Sequence, residues 1–213
     1  MTFLITRPEH ENTVFYLSQW SNELIEQAKN KGIKVLDCHR ERAQKKIVQE
    51  MISKHQPKLI MFNGHGSRSM VCGHQDAPLV KKNDNEKILK GTIVYARACQ
   101  TAAELGPACI EQGTRAYIGY QEDFAFWTNN YSTAHPLKDV QAQPSFKPSN
   151  QVIRSLLNGA TAEEAYNRSQ AVSDEEIERL MQSDAPPEAE FILPLLLWNK
   201  HNQSLLGDKE ANI

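Results

Sequence analysis

Two short apolar runs, Leu59-Ile60-Met61-Phe62 and Thr92-Ile93-Val94-Tyr95, each end on a chemically loaded segment. The first leads into Asn63-Gly64-His65-Gly66-Ser67, the second into Ala96-Arg97-Ala98-Cys99-Gln100. Runs of this length and composition read as buried strands. If the two lie side by side in a parallel sheet, His65 and Cys99 emerge together at its carboxyl edge, where open α/β sheets place their sites. The intervening sequence is long enough for a crossover connection.

The rest of the chain extends the alternation. Thr2 to Thr6 reads as a first strand, stopped near Pro8. Residues 11–31 carry helical spacing through Val14, Leu17, Leu24, Ile25 and Ala28, and Gly32 reads as the stop. Ile33 to Leu36 is predicted as strand two, 41–54 as a helix, and Lys58 to Phe62 as strand three. Met70-Val71-Cys72 is a short strand or hairpin arm within a polar stretch. Thr92 to Ala96 is predicted as strand four, 101–112 as a helix starting just after Cys99, and Ala116 to Gly119 as strand five. Residues 121–149, aromatic and Pro-interrupted, read as a long functional loop. Helices are predicted near 149–158 and 161–182, the second with Thr161 and Glu164 as a capping box. An acidic, Pro-rich linker follows from Ser183 to Glu190. Leu195–Trp198 and Gln203–Gly207 are then predicted as two strands joined at 199–202. The expected fold is α/β: a mainly parallel sheet, helices on both faces, and an additional C-terminal strand pair. One domain spans 1–213, with a core of 1–120, the loop 121–149, and helices and C-terminal strands over 150–213.

Composition narrows the function. A formal net charge of -2 over 213 residues gives no global drive toward nucleic acid or an anionic membrane. The longest apolar stretch, Phe191 to Trp198, holds Pro194 and is too short to span a bilayer. Four cysteines (Cys38, Cys72, Cys99, Cys109) do not make a disulfide framework in a chain of this size. The amino terminus has no basic segment followed by a long apolar one. A cytoplasmic protein in a reducing environment is expected, with no membrane partner and no direct nucleic-acid binding.

Cysteine attacks carbonyl carbon as a thiolate, and a nearby histidine can generate or hold that thiolate. A helix starting just beyond Cys99 would lower its pKa and offer amides to an oxyanion. A single cysteine is more often a small core residue. Two chemically matched residues at matching strand ends favour a catalytic pair. Competing thiol chemistries fail on spacing. A phosphatase loop needs an arginine six positions after its cysteine, where this chain has Leu105, Pro78 and Gln44. A glutamine amidotransferase usually places its cysteine before its histidine, on a glycine-flanked elbow. No CxxC pair exists. Cys72-Gly73-His74 lacks a second pair of zinc ligands, so neither metal nor cofactor is expected. The Gly64–Ser67 turn stays open as a phosphate loop.

The ordered set Gly64-His65-Gly66, Ala98-Cys99-Gln100-Thr101-Ala102 and Ala116-Tyr117-Ile118-Gly119, each at a strand, resembles the caspase-like cysteine peptidases. The match is nearest to the CHAT branch (caspases associated with tetratricopeptide repeats), whose late Gly-Asp is met by Gly207-Asp208. The resemblance covers residues 58–120. It implies a caspase-hemoglobinase fold and a cysteine endopeptidase of restricted specificity. Cys99 would be the nucleophile, His65 the general acid/base, and the backbone amides of Gly66 and Cys99 the oxyanion hole. The pair is a dyad that needs no carboxylate. A protein or peptide substrate is implied, in regulated and in some systems defence-associated proteolysis, often with an activating protein partner. No repeat array is present. The alternative is a non-catalytic interaction module on the same fold.

Relatives also place the residue two before the nucleophile in the pocket for the side chain preceding the scissile bond. Here that residue is Arg97, which would grip an acidic side chain. Equally, Arg97 could pair with Glu104, Glu122 or Asp123 and be structural. Gln121, Glu122 and Asp123 follow strand five, where the same pocket is often walled; acids facing it would favour neutral or basic residues. The aromatics Phe124, Phe126, Trp127 and Tyr131 either pin their loop to the core or build subsites. Asp184 in the linker is a candidate self-cleavage point.

Overall fold

The computed structural model describes residues 1–129 and 133–213. In chain order the elements are β1 (Thr2–Arg7), α1 (Asn12–Trp20), α2 (Asn22–Asn30), β2 (Lys34–His39), α3 (Lys45–His55) and β3 (Leu59–Asn63). A hairpin sheet of β4 (Gly66–Ser67), β5 (Met70–Cys72) and β6 (Pro78–Lys81) comes next. Then follow β7 (Ile93–Arg97), α4 (Leu105–Glu111), β8 (Ala116–Tyr120), α5 (Gln143–Leu157), α6 (Ala162–Leu180), α7 (Ala189–Asn202) and β9 (Gln203–Gly207).

The main sheet has the order β2-β1-β3-β7-β8-β9. Every pairing is parallel except β8 with β9. The three strands at its centre, β3, β7 and β8, are buried at every position. That is why they read as continuous apolar runs rather than alternating ones. Successive side chains still divide between two faces. Phe3, Ile5, Leu59, Met61, Ile93, Tyr95 and Ile118 pack with residues of α1, α2 and α5. Leu4, Ile60, Phe62, Val94, Ala96 and Tyr117 pack with residues of α3, α4 and the hairpin sheet. The expected α/β class and mainly parallel sheet are therefore present.

Four sequence expectations change. The helix over 11–31 is two helices that meet at Ser21, whose hydroxyl donates back to the Leu17 carbonyl at 2.8 Å; such back-bonding bends helices. The helix after Cys99 begins only at Leu105. The loop after strand five is shorter, because α5 already starts at Gln143. The C-terminal strand pair is a helix and one strand: Leu195–Trp198 lies within α7. An apolar run that short fits a strand or a buried helix equally well. Packing decides it, with Ile192 and Leu196 set against Ile177 and Leu180 of α6. The Thr161–Glu164 capping box is formed at the start of α6.

An aromatic cluster fastens the segment after β8 to the sheet. Phe146 is fully buried and stacks on Trp20 at 5.2 Å, with Phe124 and Phe126 at 5.9 and 4.8 Å. Phe124 and Phe126 thus pin the loop; Tyr131 lies outside the described residues. Truncation of a buried phenylalanine costs about 3–5 kcal/mol. Phe146→Ala is expected to lower the free energy of urea unfolding by that amount.

Candidate active site

Three adjacent strands deliver the site. β3 and β7 pair in register, with Asn63 opposite Arg97. His65 and Cys99 each lie two residues beyond that aligned pair. Glycine is required between them. A Cβ on Gly64, whose φ is +151°, would lie 2.3 Å from the Cys72 carbonyl oxygen. A Cβ on Gly66 would lie 2.6 Å from the Cys99 carbonyl oxygen and 2.8 Å from Thr101 Cγ2. The Gly66 backbone therefore lies directly against the Cys99 carbonyl. The Cys72 amide donates to the His65 carbonyl at 2.9 Å, so the hairpin holds the histidine backbone from behind.

The third strand, β1, adds a residue that sequence reasoning missed. Glu11 Oε1 lies 3.2 Å from His65 Nε2. The same carboxylate caps α1, accepting from the amides of Val14 at 2.7 Å and Thr13 at 3.0 Å. Burial pushes the Glu11 pKa up, but these amides and His65 outweigh it, so the group is held below its ordinary value. The dyad expected without a carboxylate has one at its histidine. The available signal was an acidic residue at a helix start just past β1, on the edge that carries His65.

The segment before Glu11 is anchored by Glu9. Its carboxylate accepts from Arg40 Nε at 2.8 Å, Ser18 Oγ at 2.7 Å and Gln19 Nε2 at 2.8 Å, and faces His39 Nε2 at 3.0 Å. Burial would raise its pKa; hydrogen bonds from Arg40, His39 and Ser18 overcome this and bring it down to about 2.

Cys99 is half-buried, whereas Cys38, Cys72 and Cys109 are buried. Burial pushes its thiol up to about 11. The amides of Phe124 and of Cys99 itself act the other way, and the Asp123 carboxylate adds to the rise. The helix expected just after Cys99 begins only at Leu105, so Cys99 is not in its first turn. Gln100 follows it with φ +59°, a left-handed conformation uncommon for a side chain of this kind. Its amide donates to the Glu122 carbonyl at 3.0 Å and its side chain to Asp123 Oδ1 at 3.1 Å. Gln121 reaches the Ala102 carbonyl at 3.2 Å. Residues 121–123 thus border the Cys99 turn, and Asp123 is exposed.

Arg97 does not belong to that border. Its side chain is fully buried and faces α1, α2 and α5 rather than the surface. It does not pair with Glu104, Glu122 or Asp123 either; its partners are neutral oxygens, and it lies over the Phe146 ring at 5.0 Å. The structural reading of Arg97 holds with other partners, and the pocket reading is corrected: alternation points residue 97 into the helical layer, and the chain turns before Cys99.

Other motifs find different places. Gly66-Ser67 opens into a hairpin rather than a helix, so no helix N-terminus follows the turn. Among the described residues no three His, Cys, Asp or Glu side chains are arranged to hold a metal, and no helix is long and apolar enough to cross a membrane. Gly207-Asp208 ends β9 opposite Ala116, at the far edge of the sheet from His65 and Cys99.

No family model matches the chain, and no curated protein sequence does. Solved structures do match. The Arg-specific cysteine proteinase gingipain R superposes with a TM-score of 0.65 at 12% identity, over 100% of this chain and 47% of that one. A complex of the pro- and mature domains of RgpB from Porphyromonas gingivalis gives 0.62 at 11% identity, over 100% and 48%. A structure described as a protease gives 0.55 at 15% identity, over 99% and 47%. The chain thus has the caspase-like α/β fold of cysteine proteinases, and it spans about half the length of the solved structures it matches.

Two outcomes follow from this geometry. Gly66→Ala forces the Cys99 backbone to shift, which is expected to cost about 1–3 kcal/mol by chemical denaturation. It should also slow any Cys99-dependent turnover roughly 100-fold. The depressed pKa of Glu9 contributes stability that is complete above pH 4.5 and is lost as pH falls toward 2. Thermal midpoints measured against pH should therefore show Glu9→Gln less stable at pH 7, with a flatter acid limb between those values.

Proposed function

We propose that this chain is a cysteine endopeptidase of restricted specificity, with Cys99 as nucleophile and His65 as general acid/base. The supporting observation is the placement of His65 and Cys99 at equivalent positions past the ends of two paired parallel strands, with Glu11 at His65 Nε2, on a fold shared with cysteine proteinases. Glu11 would fix the imidazole orientation through its contact at Nε2.

In the proposed reaction Cys99 Sγ attacks the substrate carbonyl carbon. The Sγ proton passes to His65 as the carbon–sulfur bond forms, and the carbonyl electron pair moves onto oxygen, facing the Gly66 and Cys99 amides. His65 then protonates the amine nitrogen as the carbon–nitrogen bond breaks, leaving a thioester. Water, deprotonated by His65, attacks the thioester and returns the thiol.

With Arg97 buried, the acids at 122 and 123 are left to set specificity beside Gln121. We read the pocket as suited to a basic residue before the scissile bond, and the Arg-specific neighbour agrees in kind. The motif set Gly64-His65-Gly66, Ala98-Cys99-Gln100-Thr101 and Gly207-Asp208 supports placement in the CHAT branch. Regulated, defence-associated proteolysis with an activating protein partner is the corresponding role. Exposed Trp127, Phe191, Leu197 and Trp198 offer such a partner an apolar contact near Asp123, whose carbonyl accepts from Trp198 Nε1 at 2.8 Å. Four free thiols suit a reducing, cytoplasmic setting. The raised Cys99 thiol favours, as second reading, a non-catalytic interaction module on the same fold.

A proteome-derived peptide library incubated with the wild type and with Cys99→Ala tests the proposal. Cuts made only by the wild type, after lysine or arginine, are expected. Cuts after acidic residues would overturn the pocket assignment. No cuts, together with Cys99 alkylation indifferent to His65→Ala, would leave the interaction module.

A further inference from the structure

Arg97 and Asn63 carry an arrangement that the peptidase reading does not use. The guanidinium is fully buried, and every nitrogen on it is engaged. Nε and Nη2 donate to Asn63 Oδ1 at 2.9 and 2.7 Å. Nη2 also donates to the Leu17 carbonyl at 2.7 Å and Ser21 Oγ at 2.6 Å. Nη1 donates to Asn150 Oδ1 at 2.8 Å and Ser149 Oγ at 3.4 Å. No carboxylate touches it directly; the nearest link is a relay in which Asn150 Nδ2 donates to Glu23 Oε1 at 2.8 Å. Burying a charge among neutral acceptors is an expensive way to fill a core, and an apolar side chain would serve packing alone better.

The position of this cation suggests what it is for. Arg97 ends β7 and Asn63 ends β3, each two residues before a proposed catalytic residue. Asn63 extends the link to β1: its Nδ2 donates to the Thr6 carbonyl at 2.8 Å and its amide to Thr6 Oγ1 at 3.1 Å. The chain leaving β1 carries Glu11, and the helix that Glu11 caps presents its Leu17 carbonyl to Arg97. Each segment bearing Glu11, His65 or Cys99 is thus bonded to Arg97 or to the amide group that Arg97 fixes.

We propose that Arg97 and Asn63 form a positioning clamp that sets Glu11, His65 and Cys99 against one another, an inference that rests on the peptidase reading. The clamp needs a planar fork and an amide. A lysine keeps the charge but cannot span Asn63, Leu17 and Asn150 together. A serine at 63 cannot accept from Arg97 and donate to Thr6 at the same reach.

The test uses the full chain carrying Arg97→Lys or Asn63→Ser. Thermal midpoint, steady-state kinetics on a peptide that the wild type cleaves, and Cys99 alkylation by iodoacetamide with and without His65→Ala are measured for each. Below the midpoint, kcat should fall roughly 10- to 100-fold with KM within about twofold. The alkylation advantage that depends on His65 should disappear. A variant that melts earlier yet keeps wild-type kcat and its His65 dependence would overturn the clamp and leave Arg97 a stabilising residue only. Asn63→Ser leaves the four other acceptors of Arg97 in place, so it decides the matter if Arg97→Lys does not fold. Wild-type Cys99 that reacts independently of His65 would instead sink the peptidase reading, and the clamp with it.

Discussion

A guanidinium sealed under the carboxyl edge of the sheet organises the rest of this molecule. Arg97 holds the ends of two central strands, the junction of two helices and the face of a third through neutral oxygens. Removing a cation from water costs several kcal/mol even after relaxation. Hydrogen bonds to a charged group each return about 1.5–3 kcal/mol, so only a nearly complete set offsets the cost. That requirement ties distant parts of the chain to one another: Leu17, Ser21, Asn63, Ser149 and Asn150 must all arrive together. The stacked aromatic rings of Trp20 and Phe146 close the space around it.

Above this buried layer the site is built from short, polar connections. Glu9 is held by side chains from α1 and the segment after β2, and it fixes the turn that carries Glu11. Glu11 spends one carboxylate on two tasks, capping α1 and meeting His65. Gly66 lets the histidine segment rest on the Cys99 backbone. On the other side, Gln100 adopts a left-handed conformation and is held there by Glu122 and Asp123. The cost of that conformation, about 1–2 kcal/mol, is met by bonds that also bring Asp123 beside the thiol. Burial and that carboxylate both push the thiol pKa upward.

Much of this is legible in the sequence. The apolar runs at 59–62 and 92–95 gave the two central strands because strands buried on both faces lack alternation. The order of glycine-flanked histidine and then cysteine located both residues at strand ends. What failed was local periodicity where packing overrides it. Leu195–Trp198 reads as a strand in isolation, and only its contact with α6 makes it helical. The family resemblance places Arg97 in a substrate pocket, but at the end of β7 its side chain enters the helical layer instead. Glu11 is marked in the sequence only as an acidic residue at a helix start, since nothing in the spacing between residues 11 and 65 encodes their contact.

Sequence by itself determined the element types of the central sheet, the two strand ends that carry His65 and Cys99, and the glycines their close approach needs. These are local properties, set by side-chain volume, backbone freedom and hydrophobic pattern over a few residues. Tertiary structure alone decided that Arg97 points inward, that Glu11 meets His65, and that burial and Asp123 push the Cys99 pKa upward. Each of those depends on groups brought together from remote parts of the chain, and on a low-dielectric interior that exists only once the helices have closed over the sheet.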